Sequence, residues 1–155
     1  MDISDILSPH MVFERVKAPS KKKLITEIAG FAAGAAGLDA DKVFDALWQR
    51  EKLASTGVGH GVAIPHARMA KLEKLVGVFV HLDEAIDFEA IDSAPVDLVF
   101  ALLTPAEAGA DHLKALARIS RLMRNAAVCE KLRAANDRSQ IYALLTEPTA
   151  GVHAA

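Results

Sequence analysis

Hydrophobic residues recur along the first third of the chain at the spacing of an α-helix. The helix that Ser20 caps and Gly37 ends carries its apolar residues three and four positions apart, at Leu24, Ile28, Phe31 and Ala35. A second helix begins after Asp39 and has a similar stripe, formed by Val43, Phe44, Leu47 and Trp48. The pattern predicts two amphipathic helices, of which the second carries Arg50 and Glu51 at its C-terminal end.

The middle of the chain follows the two-residue period of a β-strand. Residues 75–82 place one set of apolar side chains on one face and Phe79 and His81 on the other. Residues 96–103 are apolar throughout, which is typical of a strand that is covered on both faces. Shorter strands are predicted at 12–16 and 62–64, and a turn or hairpin at 83–92.

The last third of the chain returns to the helical spacing. Residues 111–124 form a helix whose inward positions are Leu113, Leu116, Ile119 and Met123. Asn125 and Asp137 are N-caps of two further helices, which run to about residues 134 and 146. Helices placed between strands indicate a layered α/β sandwich, with a central sheet flanked by helices on both faces. We expect one domain over 1–147 and a mobile tail at 148–155.

Composition narrows the class of protein. The 155 residues suit one domain, and 18 basic against 20 acidic residues give a net charge of −2, so nucleic acid is a poor candidate partner. The single cysteine, Cys129, excludes an internal disulfide and fits a reducing compartment. The apolar runs are too short for a membrane span, and the N-terminus is acidic where a signal peptide would be basic. We therefore expect a cytoplasmic protein.

Residues 50–68, REKLASTGVGHGVAIPHAR, hold the candidate chemistry. Three alternating glycines allow the backbone to approach another group closely. Pro65 stiffens the segment just before His66, whose neutral imidazole is a good nitrogen nucleophile. Backbone N–H groups of such a loop can bind an anion.

Three segments in this order, 50–68, 76–105 and 112–123, resemble enzyme IIA of the fructose/mannitol class of the bacterial phosphoenolpyruvate-dependent phosphotransferase system. The whole chain is most similar to the free-standing, nitrogen-regulatory type of that class. The resemblance implies a mixed sheet, and it makes His66 the phosphoryl acceptor. It also implies no cofactor and no metal.

The same resemblance assigns supporting roles. It implies that His112 faces His66 and that Arg50 lies on the phosphate side, where a guanidinium matches phosphate oxygens. The expected lining of the phosphate site comes from the glycine loop, at Ser55, Thr56, Gly57, Gly59 and His60.

The implied partners are proteins. The phosphoryl donor is an HPr-like phosphocarrier (NPr), which enzyme I charges from phosphoenolpyruvate. The phosphorylation state would then be recognised by regulatory targets, such as potassium transport systems, sensor kinases and proteins of nitrogen or carbon metabolism.

Two other functions stay open. A sugar-specific enzyme IIA would use His66 in the same way but would pass the phosphoryl group to a cysteine of a IIB partner. A metal-dependent hydrolase would use His60, His66 and His112, although the chain lacks the HExxH motif and paired zinc-ligand cysteines. The glycines do not fit GxGxxG, because Val62 occupies the last position.

Overall fold

The computed structural model describes residues 1–147, and the expected tail at 148–155 lies outside them. The strands are β1 (Val12–Val16), β2 (Gly57–Gly59), β3 (Val62–Ala63), β4 (His66–Met69), β5 (Val76–Ile86) and β6 (Val96–Pro105). The helices are α1 (Lys21–Ala36), α2 (Ala40–Leu53), α3 (Ala110–Met123), α4 (Ala126–Ala134) and α5 (Arg138–Thr146). Two short 3₁₀ turns, Ile3–Asp5 and Pro9–Met11, precede β1.

The six strands form one mixed sheet, as the resemblance implied. The order is β1-β5-β6-β3-β2, and β4 pairs with β6 farther along the same edge as β3. β1 is parallel to β5, and both β3 and β4 are parallel to β6. The pairs β5–β6 and β2–β3 are antiparallel. Val62 lies opposite Leu98 and His66 lies opposite Leu102, so the strand pairing places His66 towards the C-terminal end of β6.

The predicted N-caps are confirmed by their hydrogen bonds. Ser20 Oγ accepts from Lys23 N at 3.2 Å, and a carboxylate or amide oxygen accepts in the same way at Asp39, Asn125 and Asp137. Gly37 ends α1 at φ 68°, a left-handed conformation that a residue without Cβ adopts at no steric cost. These local signals explain why the helix boundaries follow from the sequence.

The core is centred on β6, whose consecutive side chains are buried on both faces, as predicted. Residues 98–103 are at most 2% exposed. Phe79 and Phe100 meet edge to face with their ring centroids 6.2 Å apart. β5 also continues to Ile86, past the predicted end at residue 82, because Ile86 pairs with Val96.

The inward face of α3 differs from the prediction. Leu113 is 66% exposed and Leu116 is half-buried, whereas the buried positions are His112, Ala115, Ile119 and Met123. Ile119 and Met123 are buried as predicted, but in the first half of the helix His112 and Ala115 are buried in place of Leu113 and Leu116. The His112 ring has a hydrogen-bond partner inside the protein. His112, which the resemblance placed facing His66, therefore lies on the buried face of α3.

Candidate functional site

Three elements bring the predicted residues together near the C-terminal end of β6. His66 is the first residue of β4, His112 lies in the first turn of α3, and Arg50 lies in the last turn of α2. The imidazole centroids of His66 and His112 are 5.9 Å apart and the ring planes are inclined by 59°. The two rings therefore lie close to each other.

His66 is held in one tautomer by the main chain. Its Nδ1 lies 2.8 Å from the carbonyl oxygen of Ile64, and because a carbonyl only accepts, Nδ1 must carry the proton. In the neutral ring, Nε2 then keeps its lone pair and can act as the nucleophile. Burial is the largest influence and lowers the pKa of His66 below 6.5. The hydrogen bond to Ile64 opposes it, Arg50 lowers the pKa further by a smaller amount, and Glu51 raises it least.

His112 is more deeply buried than His66, with 7% of its surface exposed. Its Nδ1 lies 2.6 Å from the Oγ1 atom of Thr104, the second-last residue of β6. Burial lowers the pKa of His112, and the positive charge of Arg68 and the neighbouring His66 lower it further. Both imidazoles therefore favour the neutral form.

Two guanidinium groups lie beside these neutral rings. Arg50 Nη1 donates to the carbonyl oxygen of Ala54 at 2.9 Å, which holds the side chain across the end of α2. Arg68 lies two residues after His66 on β4, so the two side chains are on the same face of the sheet. Arg68 Nη1 donates to the carbonyl of Ala106 at 3.3 Å. Fixed positive charge next to an uncharged nucleophile favours an approaching anion.

Glu51 is a residue of this region that the sequence interpretation passed over. It is 4% exposed, and its carboxylate accepts hydrogen bonds from the Thr56 N–H (2.7 and 3.0 Å) and hydroxyl (2.8 and 3.1 Å). Lys21 Nζ lies 3.7 Å away. The Thr56 carbonyl in turn accepts from Ile64 N at 2.9 Å, so Glu51 supports the segment that holds His66.

A signal for Glu51 was present in the sequence. The buried residues of α2 are Val43, Leu47 and Glu51, which are spaced four apart. An acidic residue in register with an apolar stripe predicts a buried, hydrogen-bonded carboxylate.

The hydroxyls expected to line the phosphate site already have partners. Ser55 Oγ donates to the carbonyl of Phe88 at 3.0 Å and accepts from Gly57 N at 3.1 Å, while the Thr56 hydroxyl is bound to Glu51. Gly57 is required by packing, since a Cβ there would lie 2.7 Å from the Cβ of Ala90. These three residues shape the segment next to Ile64, but their polar groups are engaged elsewhere.

Gly59 and His60 are not brought to His66. The expected glycine loop is instead a β2–β3 hairpin, whose tip lies beyond Val62. Four residues of β6 separate the partners of Val62 and His66, which corresponds to about 13 Å. A hydrolytic metal site built from His60, His66 and His112 is therefore not formed, because His60 is at the wrong end of the strand.

Hydrogen bonds tie down that hairpin tip. His60 N donates to Asp92 Oδ2 at 2.9 Å, and this bond is the main reason that the pKa of Asp92 is lowered. The His60 carbonyl accepts from Arg133 Nη2 at 2.9 Å, and Arg133 also binds Asp97 with two nitrogens. Across residues 1–147, no group of three or more His, Cys, Asp or Glu side chains could hold a metal ion.

The fold agrees with the comparisons with known proteins. Residues 5–147 match the family described as "Phosphoenolpyruvate-dependent sugar phosphotransferase system, EIIA 2", and the chain belongs to that family. Family membership implies a phosphoryl-carrier role and phosphocarrier proteins as partners. None of the helices in the described part of the chain is long and apolar enough to cross a membrane.

Several relatives of similar length carry the name "Nitrogen regulatory protein". One from Bradyrhizobium diazoefficiens is 51% identical over 97% of this chain and 98% of its own, and one from Escherichia coli is 38% identical over 95% and 91%. A "PTS system fructose-specific EIIA component" from Haloferax volcanii is 37% identical over 95% and 98%. The crystal structure of nitrogen regulatory protein IIA-Ntr from Neisseria meningitidis superposes with a TM-score of 0.89 at 35% identity, covering 93% of this chain and 99% of that one.

Proposed function

We propose that this protein is a cytoplasmic phosphocarrier of the nitrogen-type phosphotransferase system. His66 accepts a phosphoryl group from a phosphohistidine of an HPr-like carrier (NPr), which enzyme I charges from phosphoenolpyruvate. The observation that carries this proposal is the Ile64 carbonyl at Nδ1, which leaves the Nε2 lone pair free beside His112 and Arg50.

The transfer requires one bond to form and one to break. Nε2 of His66 attacks the phosphorus in line, and the P–N bond to the donor imidazole breaks as the new P–N bond forms. The donor ring leaves with the electron pair of the broken bond, and because its other nitrogen carries a proton it departs as a neutral imidazole. The Ile64 carbonyl accepts a hydrogen bond from the Nδ1–H group of His66 throughout, which stabilises the positive charge that develops on the attacked ring.

Arg50 and His112 act on the phosphoryl oxygens. The Arg50 guanidinium donates one hydrogen bond to the carbonyl of Ala54, and its other N–H groups can donate to phosphate oxygens. The planar arrangement of these donors matches the geometry of a phosphate group. His112 would donate a hydrogen bond to a phosphoryl oxygen, a role supported by the 5.9 Å between its ring centroid and that of His66. Since both P–N bonds have similar energies, positioning supplies most of the catalysis, and no metal is needed.

A protein donor also needs a surface on which to dock. Leu53 at the end of α2 is 83% exposed, and Leu113 beside His112 is 66% exposed. Both leucines belong to the helices that carry Arg50 and His112. Exposed apolar residues beside a reactive side chain are typical of a protein interface.

The names of the nitrogen regulatory relatives support a regulatory output. Phosphorylation of His66 would add nearly two negative charges to this surface and would weaken the docking of partners that recognise the uncharged form. The targets would be proteins such as potassium transporters or sensor kinases.

A sugar-specific EIIA is the second candidate function, and the fructose-specific relative favours it. Transfer of the phosphoryl group to a cysteine of a IIB partner would distinguish this function from the regulatory one.

The test is phosphorylation with phosphoenolpyruvate, enzyme I and the carrier protein, followed by mass spectrometry. Wild type should gain one acid-labile phosphoryl group, about 80 Da, by in-line transfer. His66→Ala should gain none, while His60→Ala, which changes an exposed histidine at the far end of β6, should be labelled like wild type. Labelling of His66→Ala, or no labelling of wild type, would overturn the proposal.

A further inference from the structure

We propose that Thr104 is a positioning residue that sets the tautomer of His112. Its hydroxyl donates to Nδ1, so the neutral ring carries its proton on Nε2 and presents an N–H group towards His66. The tautomer itself does not depend on the proposed function. Its use as a phosphoryl ligand rests on that function.

The distance and the burial of the pair define the interaction. Thr104 Oγ1 lies 2.6 Å from His112 Nδ1, which is short for a hydrogen bond between neutral groups. Thr104 is 0% exposed, so water does not reach its hydroxyl. Within residues 1–147, His112 Nδ1 is the one hydrogen-bond partner of this oxygen.

The number of buried donors that find an acceptor decides whether Thr104 or His112 donates this hydrogen bond. If His112 Nδ1–H donated to Thr104, the hydroxyl hydrogen would be buried without an acceptor, which is strongly disfavoured. If the hydroxyl donates instead, both the hydroxyl hydrogen and the Nδ1 lone pair are paired. Burial and the positive charge of Arg68 also favour the neutral ring that can accept at Nδ1.

The direction of this bond decides what the ring offers to an anion. With the proton on Nε2, His112 donates to an oxygen of a phosphoryl group on His66. With the proton on Nδ1, the Nε2 lone pair would point at that oxygen and repel it. The two histidines thus have opposite tautomers, because Ile64 presents an acceptor to one Nδ1 and Thr104 presents a donor to the other.

Thr104→Val tests the assignment, because it removes the hydroxyl and nearly preserves the shape of a buried side chain. Thr104→Ser is the matched control that keeps the hydroxyl. The tautomer is read from the ¹⁵N shifts and long-range ¹H–¹⁵N couplings of the imidazole at neutral pH, with His112→Asn assigning the signals. Thermal unfolding of each variant verifies that the fold is intact.

Wild type and Thr104→Ser should carry the proton on Nε2, and Thr104→Val should shift the ratio of tautomers towards Nδ1–H by about 2- to 10-fold, the range of one net hydrogen bond. An Nδ1–H tautomer in wild type, or an unchanged ratio in Thr104→Val, would refute the proposal.

The functional consequence is measured separately, as the rate at which phosphorylated protein passes its group back to the carrier. We expect a loss of similar size in Thr104→Val and recovery in Thr104→Ser. If Thr104→Val changes the tautomer but not the rate, the tautomer assignment holds and its use as a phosphoryl ligand is refuted. If wild type is not labelled at all, the proposed function fails while the tautomer result stands by itself.

Discussion

The two ends of β6 use similar residues in opposite ways. At the C-terminal end, His66 and His112 each have one ring nitrogen bound by the protein, and the other nitrogen remains for an incoming group. At the N-terminal end, the backbone of His60 is bound on both sides, by Asp92 and by Arg133. The two ends therefore differ in what their hydrogen bonds hold, which is imidazole rings at the C-terminal end and the backbone of a hairpin at the N-terminal end.

The two arginines illustrate the same contrast. Arg133 makes a bidentate pair with Asp97 at 2.9–3.0 Å and also binds the hairpin carbonyl, and the Asp97 hydrogen bonds raise its pKa. Arg50 has one hydrogen bond, to the carbonyl of Ala54. Within residues 1–147, the Arg50 guanidinium therefore keeps more N–H groups without a protein acceptor than that of Arg133 does.

Replacing Glu51 should have the largest effect on stability. Glu51→Gln keeps the size of the side chain but leaves Lys21 beside an uncharged group and places an amide N–H₂ near the Thr56 donors. Breaking a buried pair of this kind costs about 3–5 kcal/mol. We expect a loss of that size in the free energy of unfolding, measured in urea.

The control for this change is Glu89→Gln. Glu89 also lies 3.7 Å from Lys21 Nζ, but its side chain is 77% exposed, and surface ion pairs contribute little. Equal destabilisation by the two variants would mean that burial of Glu51 is not the cause.

Replacing Gly61 should lower the free energy of unfolding by an intermediate amount. It should leave the labelling of His66 unchanged. Gly61 has φ 78°, and a Cβ there would lie 2.5 Å from Arg133 Nη2. Gly61→Ala should lower the free energy of unfolding by about 1–3 kcal/mol through backbone strain. Labelling of His66 by the carrier should remain at the wild-type rate, because the hairpin tip is about 13 Å or more along the sheet.

Gly30→Ala is the matched control, since its Cβ would meet nothing within 4 Å in the middle of α1. Because alanine lowers the backbone entropy of the unfolded chain, Gly30→Ala should stabilise the protein by about 0.5–1 kcal/mol. If Gly61→Ala abolishes labelling while the protein stays folded, the hairpin takes part in the chemistry and the comparison between the two ends of β6 is wrong.

The smallest expected effect is a dependence of stability on pH. The pKa values of His66 and His112 are lowered from 6.5, so below that pH the unfolded chain binds more protons than the folded protein. Stability should be fully present above pH 6.5 and should fall as the pH falls below it. Unfolding free energies measured across this range should show a weaker decline in His112→Asn than in His10→Gln, which alters an exposed histidine.

Much of the secondary structure follows from local signals. The side chains of Ser20, Asp39, Asn125 and Asp137 cap helices within three residues of themselves, so a reader of the sequence can place those helices. The strands that the sequence did not predict depend on partners far away in the chain. β4 exists because residues 66–69 pair with residues 102–105, and the hairpin at 57–63 is held by α4 and the 87–93 segment.

The candidate site residues show the same division between local signals and distant partners. The proline–histidine pair and the three matching segments indicated His66, His112 and Arg50, and the structure brings these three together. The glycine pattern also suggested Gly59 and His60, which the structure places elsewhere. Glu51 was missed, although it continues the buried stripe of α2.

The sequence by itself determined the helices, the buried central strand and the family, and it singled out His66 as the candidate nucleophile, because each depends on neighbouring residues or on a motif. Only the tertiary structure decided which donors and acceptors are occupied. Ser55 binds Phe88, His60 binds Asp92, and Thr104 binds His112. A buried polar group must find a partner wherever the fold supplies one, and the choice of that partner decides which atoms are left for chemistry.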